Sequence, residues 1–226
     1  MKITWYGHAC FQIECGGKVL LVDPFISPNP KAAHIDVDSL NPDYILITHG
    51  HEDHVADAEA IAKRSGATIV SNYEIVSWYG AKGFEKLWPM NHGGKHTFDF
   101  GTVRYVNAVH SSVLPDGSYG GNPGGFIIEA DGKRLYLAGD TALHMDMQLI
   151  GKYWKPDIAV LPIGDNFTMG AEDAVICCDM IQCDKVIGMH YDTFPFIEID
   201  RATVEGLFNN ANKELLLPAI GESVEI

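Results

Sequence analysis

The chain has 226 residues, 46% hydrophobic and 20% charged, with 16 Lys plus Arg against 30 Asp plus Glu and a formal net charge of −14. That apolar content suits a globular protein with a sizeable core and excludes disorder, while so acidic a chain with scattered cations excludes long nucleic acids as expected partners. Its five cysteines, Cys10, Cys15, Cys177, Cys178 and Cys183, are odd in number and lack CxxC spacing, which points to buried thiols in a reducing compartment.

In chain order, β-forming residues cluster at Ile3 to Tyr6, Cys10 to Glu14 and Val19 to Val22, with Gly16-Gly17 as a hairpin turn. Asp43 to Thr48 is a short apolar strand ending at a histidine cluster, and Ala58, Ile61 and Ala62 give Val55 to Arg64 a helical spacing. A strand at Thr68 to Ser71, a short helix at Tyr73 to Tyr79, and strands at Lys95 to Phe100 and Thr102 to Ala108 follow. Glycine and proline make Pro115 to Gly125 a loop, with Gly120 to Gly125 an active-site lid or a turn; it lacks the Lys-Ser/Thr ending of a P-loop. Gly125 to Glu129 and Arg134 to Ala138 read as a hairpin, Asp157 to Pro162 and Lys185 to Met189 as buried strands, and Ala171 to Ile181 as a helix. No stretch is polar enough for a linker, so residues 1–226 are expected to form one domain, an α/β (α+β) protein with two mixed sheets packed together and helices outside. No signal-like start and no membrane-length apolar run occurs, so the expected location is cytoplasmic, with no membrane partner.

The chemistry lies in His49-Gly50-His51-Glu52-Asp53-His54, with His110, Asp140 and His190 each following a predicted strand. Histidine and carboxylate are preferred ligands of zinc and its neighbours, and their clustering in a short segment lowers the entropy cost of assembling a site. If Thr48 to Asp53 continues extended, His49 and His51 project to the same side, and the turn into the helix redirects Asp53 and His54 toward a second position. One segment then serves two ions. Asp53 also falls near a helix N-terminus, where backbone N–H groups keep a carboxylate ionised.

The His-x-His-x-Asp-His string, Asp23 in Val22-Asp23-Pro24, His110, Asp140 in Gly139-Asp140-Thr141 and His190 resemble the five ordered motifs of the metallo-β-lactamase superfamily, across nearly the whole chain. Trp5 to Phe11, Asp23-Pro24-Phe25, Tyr119 to Pro123 and His190 to Thr193 are similar to a branch of small metal-dependent hydrolases akin to the ascorbate-6-phosphate lactonases. The resemblance implies a four-layer αβ/βα sandwich with metals at one edge of the sheets. It implies that His49, His51 and His110 hold one divalent ion, that Asp53, His54 and His190 hold a second, and that Asp140 bridges them. Asp23 is implied to support the site by orienting imidazoles rather than as a ligand. Two Zn2+ are the expected ions, with Mn2+, Fe2+ and Ni2+ as alternatives that ligand types do not separate. Main-class β-lactamases use cysteine where this chain has Asp140, which disfavours antibiotic hydrolysis; flavodiiron proteins carry Glu where this chain has His51, which disfavours redox iron chemistry.

The expected reaction is attack of a metal-activated water on a small ester, lactone or phosphoester, including anionic substrates, with Asp53 and Asp140 steering the nucleophile or carrying a proton. A mononuclear iron oxygenase on the same fold and a metal-binding module without turnover are the competing readings, and oligomeric state is left open, homo-oligomers included. His8, after Gly7 at a strand turn, either reaches the cleft or makes a structural hydrogen bond. Asn166 and Thr168 are expected to line the pocket, with a helix-start role as the alternative for Thr168. His34, His92, His96 and His144 show no comparable pattern and are read as surface or loop residues, His144 lying near the cleft motif. Trp5, Trp78, Trp88 and Trp154 are read as core packing.

Overall fold

The structure, a computed structural model, describes all 226 residues. The N-terminal half forms β1 (Lys2–Trp5), β2 (Phe11–Cys15), β3 (Lys18–Val22), β4 (Tyr44–Leu46), β5 (Thr68–Asn72) and β6 (Leu87–Met90), with helices α1 (Glu52–Val55), α2 (Ala58–Ser65) and α3 (Tyr73–Ala81). The C-terminal half forms β7 (Lys95–Phe98), β8 (Gly101–Asn107), β9 (Gly124–Ala130), β10 (Lys133–Leu137), β11 (Ile158–Pro162), β12 (Lys185–Met189) and β13 (Glu214–Leu216), with α4 (Met147–Tyr153), α5 (Ala171–Ile181) and α6 (Arg201–Asn210). A last strand, β14 (Ser223–Glu225), returns to pair with β1, so the two chain ends meet in one sheet.

The strands make two seven-stranded sheets, in the orders β14-β1-β2-β3-β4-β5-β6 and β13-β12-β11-β10-β9-β8-β7. Both change from antiparallel to parallel partway across, at the β3-β4 pair in one and the β10-β11 pair in the other. Residues alternate between the faces of a strand, and the buried clusters record that alternation. Leu20 and Val22 of β3, Leu46 of β4 and Val70 of β5 enter the core shared with the opposite sheet, while Leu21, Ile45 and Ile69 turn to α2 and α3. In the other half every residue of β11 is buried, as expected for a parallel strand covered on both faces. Its outer face is closed by α4, α5 and α6 through Met147, Ile150, Cys177, Cys178 and Phe208. This is the αβ/βα sandwich expected from the sequence. No helix is long and apolar enough to cross a membrane.

The helix expected over Val55 to Arg64 instead begins at Glu52 and is interrupted between α1 and α2. Asp57 causes the interruption: its backbone N–H donates to Pro24 O, and its buried carboxylate accepts from Ile26 N–H at 2.6 Å and Ser27 N–H at 2.9 Å. Those bonds tie the segment after β3 to the metal-motif segment. Sequence periodicity did not anticipate β6, where Pro89 sits in an edge strand as a residue without an N–H must, nor α4, α6 and the two short C-terminal strands. Of the tryptophans read as core, Trp5 is buried, Trp78 and Trp154 are half-buried, and Trp88 is exposed beside His96, because β6 has only one neighbour.

Asp57→Ala leaves two buried backbone N–H groups without an acceptor, so it should lower the unfolding free energy by about 1–3 kcal/mol. Urea unfolding checks this as a reduced midpoint with an unchanged slope.

Candidate metal centre

The residues of the motif string and the distant single residues arrive at one edge by strand direction. β3 and β4 are parallel and end at Asp23 and Thr48-His49; β10, β11 and β12 are parallel and end near Asp140, Gly164 and His190. β8 runs antiparallel to β9, which runs antiparallel to β10, so the β8 end that leads to His110 lies at the same edge. The two sheets meet there through Gly124 N–H and the Tyr105 hydroxyl, both donating to Thr48 O. Gly139 has φ +65, and a Cβ there would stand 2.8 Å from Gly124 O and 3.0 Å from Thr48 Cβ, so only glycine lets the β10 end pass Thr48 this closely.

Asp23 organises the imidazoles. It sits at φ +43, a left-handed conformation that aspartate tolerates at a cost, and is 1% exposed. Its Oδ1 accepts from Thr48 N–H at 2.8 Å, and its Oδ2 accepts from the Thr48 hydroxyl at 2.6 Å and from His54 Nδ1 at 2.9 Å. With its proton committed to Asp23, the Thr48 hydroxyl accepts from His49 Nδ1 at 3.0 Å. Both His49 and His54 therefore carry hydrogen on Nδ1 and present Nε2 to the cleft, the second-sphere arrangement that fixes a ligating tautomer.

Around these nitrogens the donors fall into two groups. His49 Nε2 and His51 Nδ1 are 3.0 Å apart, and the rings of His49, His51 and His110 stand nearly perpendicular to one another at centroid distances of 4.6–5.1 Å. On the other side, Asp53 Oδ2 lies 3.9 Å from His54 Nε2 and 3.8 Å from His190 Nε2. Asp140 Oδ2 faces both groups, at 3.9 Å from His49 Nε2, 3.6 Å from His110 Nε2, 3.4 Å from His54 Nε2 and 3.0 Å from His190 Nε2. The structure thus brings together all seven residues that the sequence singled out as ligands, with Asp23 behind them.

The electrostatics fit a cationic occupant. Burial lowers the pKa of His49, His51 and His110, leaving them neutral with free lone pairs. Burial opposes ionisation of Asp140, but His190 and His54 hold its carboxyl well below the usual range; Asp53, against the same penalty, is held down by His54 and His8. Burial likewise opposes a charge on His54, yet Asp140, Asp53 and Asp23 raise it well above an ordinary histidine. Three carboxylates thus demand positive charge at His54, which a bound cation would supply. Buried polar atoms normally have partners, but His54 Nε2 and Asp140 Oδ1 have none, and both belong to the ring of donors.

Asn166 and Thr168 lie in the short loop between β11 and α5. Asn166 is exposed at φ +57 and its side chain makes no hydrogen bond; the Thr168 hydroxyl donates to Met169 O. Nor does Thr168 start a helix, since α5 begins after Gly170. A short bridge between Gly164 and Gly170 folds this segment on itself. Thr48, by contrast, had no role assigned from sequence, although its place directly before His49 and its short hydroxyl were the available signal. Gly120 and Gly121 are fastened by Asn72 Nδ2 donating to Gly120 O and by the Ser112 hydroxyl donating to the same oxygen, so this stretch is a pinned turn. His34, His92 and His96 lie away from the cluster, against Ile220 O, Tyr105 and Trp88.

Asp23→Asn removes the acceptor that sets both tautomers and should weaken metal binding 10–100-fold with the fold retained, as read by competition against a chelator. Because a cation displaces the proton of His54, uptake should release protons and weaken as pH falls; calorimetry in buffers of different ionisation enthalpy would detect the release, and binding without it would contradict the charge assignment.

A β-lactamase superfamily domain model matches residues 2–190. A UPF0173 metal-dependent hydrolase of Flavobacterium johnsoniae is 59% identical over 226 residues, covering all of both chains, and one of Methylacidiphilum infernorum is 50% identical over 224 residues, covering 99% of each. The solved structure of a metallo hydrolase from the archaeon Ignicoccus hospitalis superposes with a TM-score of 0.88 at 35% identity, covering 99% of this chain and 97% of that one. The chain therefore belongs to the metallo-β-lactamase superfamily and, within it, to the UPF0173 metal-dependent hydrolases.

Proposed function

We propose that this hydrolase works with two divalent cations, one held by His49, His51 and His110, the other by Asp53, His54 and His190, with Asp140 shared, and that its substrates are small esters, lactones or phosphoesters. The observation that carries the reading is the position of Asp140 Oδ2, within 4 Å of imidazole nitrogens from both groups. Zinc is the first candidate for these nitrogen and oxygen donors, with manganese, iron and nickel as alternatives. Bound there, such ions acidify water and polarise a carbonyl or phosphoryl oxygen.

The chain's own groups divide the remaining work. All five cysteines are free and buried, and burial pushes their thiols up, to about 11 for Cys15 and Cys183 and about 12 for Cys178, so no thiol is available as a nucleophile and water is the attacking group. The Asp53 side chain is 27% exposed against 3% for Asp140. Asp53 can therefore take the proton that the attacking water gives up and hand it to a departing group at the cleft mouth, while Asp140 stays fixed between the two donor groups. Val113 and Tyr119 on the segment after His110, and Phe167 packed with Phe196 after β11 and β12, are exposed apolar side chains on segments that leave this edge, and they suit a rim for a small molecule. The core shared by both sheets supports residues 1–226 as one functional domain.

Elemental analysis should find about two ions per chain, and exhaustive chelation should abolish turnover across an ester, lactone and phosphodiester panel until Zn2+ or Mn2+ is restored. Full turnover after metal removal would overturn the proposal, and a single iron with oxygen consumption would replace it with the redox reading.

A further inference from the structure

His8 belongs to neither donor group above, yet it is buried against one of them. It sits at φ +52 in the turn between β1 and β2, directly after Gly7 at φ +96, and its side chain has no solvent exposure. Its carbonyl oxygen accepts from His190 N–H at 3.1 Å and from Trp5 Nε1 at 3.0 Å, so the N-terminal turn is latched to the residue that ends β12. The His8 and His190 rings are 4.1 Å apart between centroids. An uncompensated buried imidazole is expensive, so its two nitrogens need an account.

Nδ1 is 2.9 Å from Thr193 Oγ1, and that hydroxyl also lies 3.4 Å from Tyr191 O. A hydroxyl has one proton; with a cation at His8 Nε2, the Nδ1–H would donate to the Thr193 oxygen and the hydroxyl proton would turn to Tyr191 O. The arrangement copies Thr48 and His49, where the hydroxyl proton goes to Asp23 and the oxygen accepts from Nδ1. His8 Nε2 stands 3.0 Å from Asp53 Oδ2, the same separation as His49 Nε2 from His51 Nδ1. Ligand atoms of His8, Asp53, His54 and His190 all lie within 4.8 Å of one another, a few tenths of an ångström beyond the roughly 4.0–4.4 Å that separates opposite ligands of one ion with bonds of about 2.0–2.2 Å, so a small inward shift brings all four to one ion.

We propose that His8 is itself a ligand of the ion held by Asp53, His54 and His190, with Thr193 fixing its tautomer. This rests on the two-cation reading and deepens it. The two sites become unequal. His49, His51, His110 and Asp140 offer four protein donors, the number that tetrahedral zinc takes; His8, Asp53, His54, His190 and Asp140 offer five, before any water. A five-donor site of imidazole and carboxylate accommodates higher coordination than its four-donor neighbour, so Mn2+ and Fe2+ fit it as well as five-coordinate Zn2+.

The test is metal binding rather than turnover. In wild-type protein two ions per chain are first established by elemental analysis; fewer than two there rejects the two-cation reading and His8 with it. Given two, His8→Ala should retain one ion tightly and weaken the other more than 100-fold, with unchanged circular dichroism. A loss of 100-fold or less is what removal of a supporting hydrogen bond to Asp53 gives, and it would overturn the ligand assignment. Should His8→Ala fail to fold, imidazole nitrogen NMR of the Zn2+-loaded wild-type protein decides: a proton on His8 Nδ1 is expected, and a proton on Nε2 would overturn the proposal.

Discussion

The site depends on one buried carboxylate. Asp23 is removed from water, held in a left-handed backbone conformation, and stabilised by donors from Thr48 and His54. Burial alone raises its pKa, while His54 and Thr48 work against that rise. Through those bonds it decides which nitrogen of His54 carries hydrogen and, by way of the Thr48 hydroxyl, which nitrogen of His49 does. A histidine with hydrogen on the wrong nitrogen cannot ligate, so Asp23 sets the tautomer of two of the candidate ligands.

The rest of the fold reads as a means of delivering such residues to one edge. Each sheet changes from antiparallel to parallel pairing, and in each the strand at that change, β3 or β10, ends at an aspartate: Asp23 in one half and Asp140 in the other. Ligands of open sheets with parallel strands gather outside the carboxyl ends of those strands. Asp23, His8 and His190 all have positive φ, so the backbone is strained where the side chains must converge. Such strain persists only where surrounding structure over-determines it, and the latch between His190 N–H and His8 O is one of the bonds that does so.

Much of this was legible in the sequence because it is local. The spacing in His49 to His54 puts ligands at neighbouring positions of one segment, and each distant ligand follows a run of β-forming residues, so the edge and the two-sheet architecture could be read from periodicity. What could not be read was tertiary. The break between α1 and α2 comes from Asp57 bonding to a loop thirty residues away, which no helical spacing encodes. Thr168 does not start a helix, because the chain first closes a local bridge between Gly164 and Gly170 and α5 begins only after it. His8 was left between two readings because its partners, Asp53 and Thr193, are brought to it only by the folded chain.

A crystal structure grown with excess Mn2+ and measured at the metal absorption edge tests the central claim most directly. The account predicts two anomalous peaks, one against His49, His51 and His110 and one against Asp53, His54 and His190, with Asp140 touching both. A single peak, or no peak among these residues, would contradict it.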